Sequence, residues 1–122
     1  MSVNPTLNYL KSEQSLVMMC FSESVTTSDK YLKGAGGIGD DGFPLPLGGT
    51  LEGLQVHDGT DTESDDKSIP FSAGDRISIY AVHDVNIFIV YVRINGINTT
   101  LSASPLAENT NLLATVTVRL TE

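Results

Sequence analysis

Residues 76–103 decide the fold, and they read RISIYAVHDVNIFIVYVRINGINTTLSA. From 76 to 82 apolar and polar residues alternate, which indicates a β-strand with one face toward a core. From 85 to 94 both faces of the predicted strand are apolar, so we expect both to be covered. Asn95-Gly96 follows, and this pair is typical of a type I′ hairpin turn, whose two central residues need a positive φ. The stretch therefore predicts antiparallel sheet with a tight hairpin.

The same patterning extends outward from this stretch in both directions. We predict further strands at 16–22, 50–56 and 112–120, with Gly53 marking a bulge or a close backbone approach. The intervening segments 57–67, 83–84 and 104–111 are predicted to be loops or short connections.

No segment of eleven or more residues has a clean helical period. The predicted fold class is therefore all-β. We expect about eight short strands in a single-domain antiparallel β-sandwich over residues 1–122, jelly-roll-like, with 1–14 as an extended N-terminal arm.

Composition narrows the classes of function. The chain has 15 acidic against 7 basic residues and a net charge of −8, which argues against nucleic acid and anionic membranes as partners. The single cysteine, Cys20, excludes an intrachain disulfide framework and lies in an apolar run where we expect it to be buried. Neither a signal peptide nor a membrane segment is evident, so we expect synthesis in the cytoplasm, from which assembly into a particle needs no signal.

Two stretches carry a resemblance to known proteins. Residues 71–80, FSAGDRISIY, resemble a segment that leads into a strand in the complement-type and tumour-necrosis-factor-like jelly rolls. In this segment Gly74 supplies the turn and Asp75 can accept backbone N–H bonds. Residues 30–56 are similar to small β-proteins of phages and spore-forming bacteria. The resemblance implies a homotrimer around a three-fold axis that serves as a binding head or as a capsid or fibre component.

The strand at 85–94 is an independent indication of self-association. The domain core of a chain this small can cover one of its faces, and a partner subunit is a natural cover for the other. We predict that the oligomer interface is formed by Phe88, Val90, Val92 and Ile94.

An acidic segment is the main candidate for a ligand site. A flexible loop with several carboxylates suits Ca²⁺, although the spacing does not fit an EF-hand, and a solvated loop is the commoner explanation. The candidate ligand or calcium loop comprises Asp58, Asp61, Glu63, Asp65 and Asp66. No other cofactor and no metal site is predicted.

The remaining chemistry-bearing side chains are sparse. His57, His83 and Cys20 are too few and too scattered for a zinc site or a Cys–His nucleophile. Exposed aromatic rings, among them Tyr31, Phe43 and Tyr80, would suit a sugar, although packing explains each more simply.

We therefore expect a non-enzymatic structural or binding protein. The leading hypothesis is a homotrimer on a virion surface, such as a bacteriophage capsid decoration or a head or tail fibre, whose partners are copies of itself and a capsid or tail protein. The alternative is a carbohydrate-binding module for a surface glycan, with Ca²⁺ as an assisting ion. A small enzyme is the least favoured hypothesis.

Overall fold

The computed structural model describes residues 16–34, 37 and 39–121. Within these ranges the chain forms no α-helix and nine strands, which are β1 (Leu16–Val25), β2 (Lys30–Leu32), β3 (Phe43–Pro44), β4 (Gly49–His57), β5 (Thr62–Phe71), β6 (Arg76–Asp84), β7 (Ile87–Ile94), β8 (Ile97–Leu106) and β9 (Thr110–Leu120). None of the described segments is a helix long and apolar enough to span a membrane. The predicted N-terminal arm at 1–14 lies outside the described residues.

The strands make two antiparallel sheets that pack against each other, which confirms the predicted all-β sandwich. Sheet A has the order β1-β9-β4-β5, and sheet B has the order β2-β6-β7-β8, with β3 also paired to β6. Consecutive strands stay adjacent in the β4–β5 hairpin and in the β6–β7–β8 meander. The strand order thus combines a hairpin with a meander.

The core lies between the inner faces of the two sheets. Every second residue of β9 faces inward, and Leu112, Ala114, Val116 and Val118 have no exposed surface. Ile77 and Ile79 of β6 are equally buried from the opposite sheet. Burial of such side chains contributes about 1.5–3 kcal/mol each, so the alternating pattern fixes which face of each strand turns inward.

Several local predictions are confirmed. Asn95 and Gly96 have φ values of 52° and 80° and form the turn between β7 and β8, as the type I′ preference requires. The pairing of β4 with both neighbours shifts by one residue between Leu51 and Gly53, which is the predicted bulge. At the turn before β6, Gly74 has φ 87° and the Asp75 carboxylate accepts the Ser72 N–H at 2.8 Å.

Three predicted loops are wrong in extent. The loop predicted at 57–67 is confined to residues 58–61, because β4 runs to His57 and β5 begins at Thr62. The connection at 83–84 belongs to β6, and the turn lies at Val85–Asn86. The loop at 104–111 is shorter, since β8 continues to Leu106 and β9 starts at Thr110. In each case pairing with a neighbouring strand extends the sheet through residues of low strand propensity.

Candidate functional site

The four residues of β7 predicted to form the oligomer interface pack against the core of their own chain. Phe88, Val90 and Val92 have no exposed surface, and Ile94 packs against the same core. The predicted oligomer interface therefore lies on the wrong face of the strand. The face that remains open to a partner carries Ile87, Ile89 and Tyr91.

Asp58 acts as an internal hydrogen-bond acceptor. It is only 4% exposed, and its carboxylate accepts the backbone N–H groups of Asp61 at 2.7 Å, Ala107 at 2.9 Å and Thr60 at 3.0 Å. The Asp61 bond is the main reason that the pKa of Asp58 is lowered, and burial opposes it. Asp58 thereby ties the β4–β5 turn to the β8–β9 turn, and both of its carboxylate oxygens accept backbone N–H groups.

Of the other acidic residues of the candidate calcium loop, Asp61 is exposed in the β4–β5 turn, and the remaining three are dispersed along β5. Glu63 and Asp65 lie opposite Val56 and Leu54 and share their inward face, whereas Asp66 is exposed. Asp65 accepts hydrogen bonds from Lys67 at 2.8 Å and from the Ser102 N–H at 3.2 Å, and the Lys67 contact lowers its pKa most. Nowhere in the described residues do three His, Cys, Asp or Glu side chains converge in a way that could hold a metal ion.

The two histidines and the cysteine lie on different elements. His57 ends β4 and hydrogen-bonds Thr62 at 2.8 Å, while His83 on β6 contacts the Glu108 carboxylate and the edge of the Phe88 ring. Cys20 is exposed on β1, so its predicted burial is wrong. The apolar run at residues 16–21 of β1 has apolar side chains on both faces of the strand. Within the described residues, only its inner face is covered, by the core.

The outer face of sheet B carries a continuous set of apolar side chains. Val82 of β6 lies opposite Ile89 of β7, and the next pair along these strands is Tyr80 opposite Tyr91. Ile87 extends the set toward the β6–β7 turn, opposite Asp84. All the apolar members of these pairs are half-buried. We call Val82, Ile87, Ile89 and Tyr91 the outer apolar patch.

A row of three tyrosines adjoins the outer apolar patch. Tyr31 of β2 lies opposite Tyr80 of β6, which lies opposite Tyr91 of β7. The rings of Tyr31 and Tyr80 have centroids 4.5 Å apart at an angle of 48°. Cross-strand aromatic pairs of this kind stabilise a sheet. We call Tyr31, Tyr80 and Tyr91 the tyrosine row.

Arg93 links the tyrosine row to polar groups at its rim. Its guanidinium carbon lies 4.0 Å from the centroid of the Tyr80 ring, a cation–π contact, and its Nη1 donates to the Tyr31 hydroxyl at 2.6 Å. Its Nε donates to Asn98 Oδ1 at 2.6 Å. Burial, reinforced by the nearby Asp29 carboxylate, raises the pKa of Tyr80. The Tyr80 hydroxyl donates to this carboxylate at 3.5 Å.

Comparison of the chain with protein-family models, with curated proteins and with solved structures finds no match. The outer apolar patch and the tyrosine row are therefore identified as candidate functional surfaces from the arrangement of their residues alone.

The sequence identified part of this surface. Tyr31 and Tyr80 are among the rings that the sequence indicates as suited to a sugar, and the structure brings them together, whereas Phe43 packs against the core. Tyr91 and Arg93 were missed. The signal that would have found them is their position in β7, where residues 87, 89, 91 and 93 share the face opposite the core.

Proposed function

We propose that this chain is a non-enzymatic structural protein that assembles with copies of itself, as a homotrimer on a particle surface such as a virion. In this role the sandwich is a rigid support, and its turns are displayed toward the surroundings. A capsid decoration, head fibre or tail fibre subunit of a bacteriophage is the setting that the resemblance favours.

The outer apolar patch carries this proposal. Its side chains lie on the side of sheet B away from the core, and the described residues place no further layer over them. Burial of apolar surface contributes about 25 cal/mol per Å², so a cover over these side chains is favourable. Tyrosine and arginine are enriched in protein interfaces, and Tyr91 and Arg93 lie within or beside the patch.

The number of subunits is the part of the proposal that rests on the resemblance. Trimeric jelly rolls bury one sheet face around a three-fold axis, and an ordinary specific interface buries about 800 Å² per subunit. The apolar and aromatic residues of the outer face of sheet B supply a surface of suitable composition for such a contact.

Light scattering coupled to size-exclusion chromatography tests the assembly. We expect the wild-type chain at micromolar concentration to have a mass three times the 13.0 kDa of the single chain. Ile89→Lys places a charge in the outer apolar patch and is expected to give the single-chain mass. Thr117→Lys, a half-buried position on the outer face of sheet A, is the matched control and is expected to leave the trimer intact. A strictly monomeric wild-type chain would refute the proposal.

The tyrosine row favours a second candidate function, which is carbohydrate binding. The tyrosine row, with the Arg93 guanidinium over two of its rings and with Asn98 and Asp29 nearby, combines apolar surface and hydrogen-bonding groups, a composition typical of ligand sites. A glycan array with the wild-type chain and with Tyr80→Ala tests it. We expect bound glycans to be lost in the variant, and arms with Ca²⁺ and with EDTA test whether an ion assists. Absence of glycan binding in every arm would remove this candidate.

A further inference from the structure

We propose that the open edge of β1 pairs antiparallel with β1 of a second copy, so that two A sheets join into one continuous sheet. This contact is two-fold and uses a different strand from the proposed trimer interface, so it goes beyond that proposal. It rests on the direction of the β1 backbone, on the side chains of β1, and on a comparison with the other edges of the sandwich.

The backbone of β1 presents a regular set of hydrogen-bonding groups at its open edge. Ser22 exchanges two backbone hydrogen bonds of 2.9 Å with Lys33, so its N–H and C=O point away from β9. Alternate residues of an antiparallel strand point these groups to the same side, and the β1–β9 register is unbroken. Leu16, Met18 and Cys20 therefore aim their N–H and C=O groups at the same open edge, where no described strand pairs with them.

The side chains along this edge are apolar and uncharged. Met18 is 68% exposed and Leu16 is 44% exposed, and no charged residue occurs between 16 and 22. Two copies of a chain with net charge −8 repel each other over most of their surface. The neutral stretch of β1 is a place where two copies approach without like charges meeting.

The other sheet edges carry the features that prevent strand addition. β5 has the inward-facing pair Asp65 and Lys67 and contains Pro70, and β8 contains Pro105. On the remaining edge, β2 has three residues and β3 has two. Inward charges, prolines and short strands all discourage edge-to-edge pairing, and β1 has none of them over residues 16–22. The contrast indicates that the β1 edge is an interface.

The geometry selects a register and favours a second β1 as the occupant. A two-fold axis normal to the sheet requires paired residues to have their side chains on the same face of the sheet. Even-numbered residues of β1 must therefore pair with even-numbered residues, and odd-numbered with odd-numbered. Lys33 occupies the edge at Ser22, and among the remaining positions only an axis at Met18 pairs residues 16, 18 and 20 completely with one another. Met18 then lies opposite Met18 of the second copy, and Leu16 lies opposite Cys20. All the open N–H and C=O groups of residues 16, 18 and 20 are then paired, in about six hydrogen bonds.

The same register covers an apolar cleft at the open end of the sandwich. This cleft has a volume of about 600 Å³ and is lined by Val17, Met19, Phe21, Phe43 and Leu45 with their neighbours. Val17 and Met19 of the second copy lie opposite Met19 and Val17 and close its mouth. A strand pair of five residues is a small interface, so we expect two single chains to associate weakly through it. A trimer carries three such edges, and simultaneous binding through several of them strengthens the association.

Disulfide trapping tests the register. In a Cys20→Ser background, Met18→Cys places two cysteines opposite each other with Cα atoms about 5.5 Å apart, within disulfide range. Ser24→Cys in the same background is the matched control, because residue 24 lies on the same exposed face of β1. In the proposed register the two copies of residue 24 are about twelve residues apart along the strands, which at ~3.4 Å per residue is about 40 Å. Under mild oxidation we expect at least about tenfold more disulfide-linked dimer from Met18→Cys. Equal yields from the two variants would overturn the proposal.

A proline substitution tests the contact independently of the trimer. Met18→Pro removes an N–H that points away from β9, a position that an edge strand tolerates, so the subunit is expected to fold. At high concentration the wild-type mass should be at least twice that of Met18→Pro, because each trimer offers three β1 edges. Ile89→Lys, a single chain at micromolar concentration, should form the β1 dimer at this higher concentration. Equal masses for the wild type and Met18→Pro, without trapping at residue 18, would overturn the β1 contact while leaving the trimer proposal standing.

Discussion

The two faces of β7 carry similar side chains in different surroundings. On the inner face, Phe88, Val90 and Val92 have no exposed surface. On the outer face, Ile87, Ile89 and Tyr91 are half-buried by their neighbours within sheet B. The apolar residues of a strand thus show how many of its faces need a cover, but they do not show which face the chain covers for itself.

The largest expected effect comes from matched truncations on these two faces. Phe88→Ala removes a fully buried ring and should lower the free energy of unfolding by about 3–5 kcal/mol. Tyr91→Ala removes a ring of similar size from the outer face and should cost about 1 kcal/mol or less in the isolated subunit. Urea unfolding of both variants measures the difference. Equal losses would show that the outer face is covered as fully as the core.

A smaller loss of unfolding free energy is expected when the buried carboxylate of Asp58, rather than a buried ring, is removed. Asp58→Ala leaves the N–H groups of Thr60, Asp61 and Ala107 without this acceptor and should cost about 1–3 kcal/mol. The exposed Asp66 is the control, and Asp66→Ala should change the free energy of unfolding by less than about 0.5 kcal/mol. Thermal unfolding at neutral pH compares the two variants.

Acid should reproduce part of the Asp58 effect. Because hydrogen bonds hold the pKa of folded Asp58 below its unfolded value near 3.9, its stabilisation is present above that value and is lost as the pH falls through the folded pKa. Asp65 and Asp75 have lowered pKa values for similar reasons, which are hydrogen bonds from Lys67 and from the Ser72 N–H. We expect the melting temperature of the wild type to fall below about pH 4, and that of Asp58→Ala to fall less steeply. Parallel pH profiles would contradict this account.

The smallest expected effect lies at the two ends of β7. Val85 has φ 60° in the β6–β7 turn, where a β-branched residue is strained, while Gly96 has φ 80° in the β7–β8 turn without strain. Val85→Gly should therefore raise the free energy of unfolding by about 1 kcal/mol, and Gly96→Val should lower it by a similar amount. Opposite shifts in melting temperature would support the comparison, and shifts of the same sign would contradict it.

The features that the sequence predicted correctly depend on neighbours along the chain. The Asn95-Gly96 turn follows from the φ preferences of its own two residues, and the Gly53 bulge from the missing side chain of a single residue. The apolar and polar residues of β9 alternate in the sequence as its buried and exposed residues do in the structure. These properties need little information from distant parts of the chain.

The features that the sequence missed depend on distant residues. β5 has an acidic, strand-poor sequence, and it forms because β4 pairs along it and because Lys67 and the Ser102 N–H satisfy Asp65. The tyrosine row needs the pairing of β2 with β6, which brings together residues 31 and 80. No local pattern contains either pairing.

By itself, the sequence determined the sheet class, the tight turn at 95–96 and the alternation of buried and exposed residues, because side-chain volume and backbone φ preferences act over a few residues. Only the tertiary structure decided the strand order, the face of β7 that meets the core and the edge of sheet A that no other described strand pairs along its length. Each of these depends on which strands pair across long separations, and that choice is made by the free energy of burying the whole core at once.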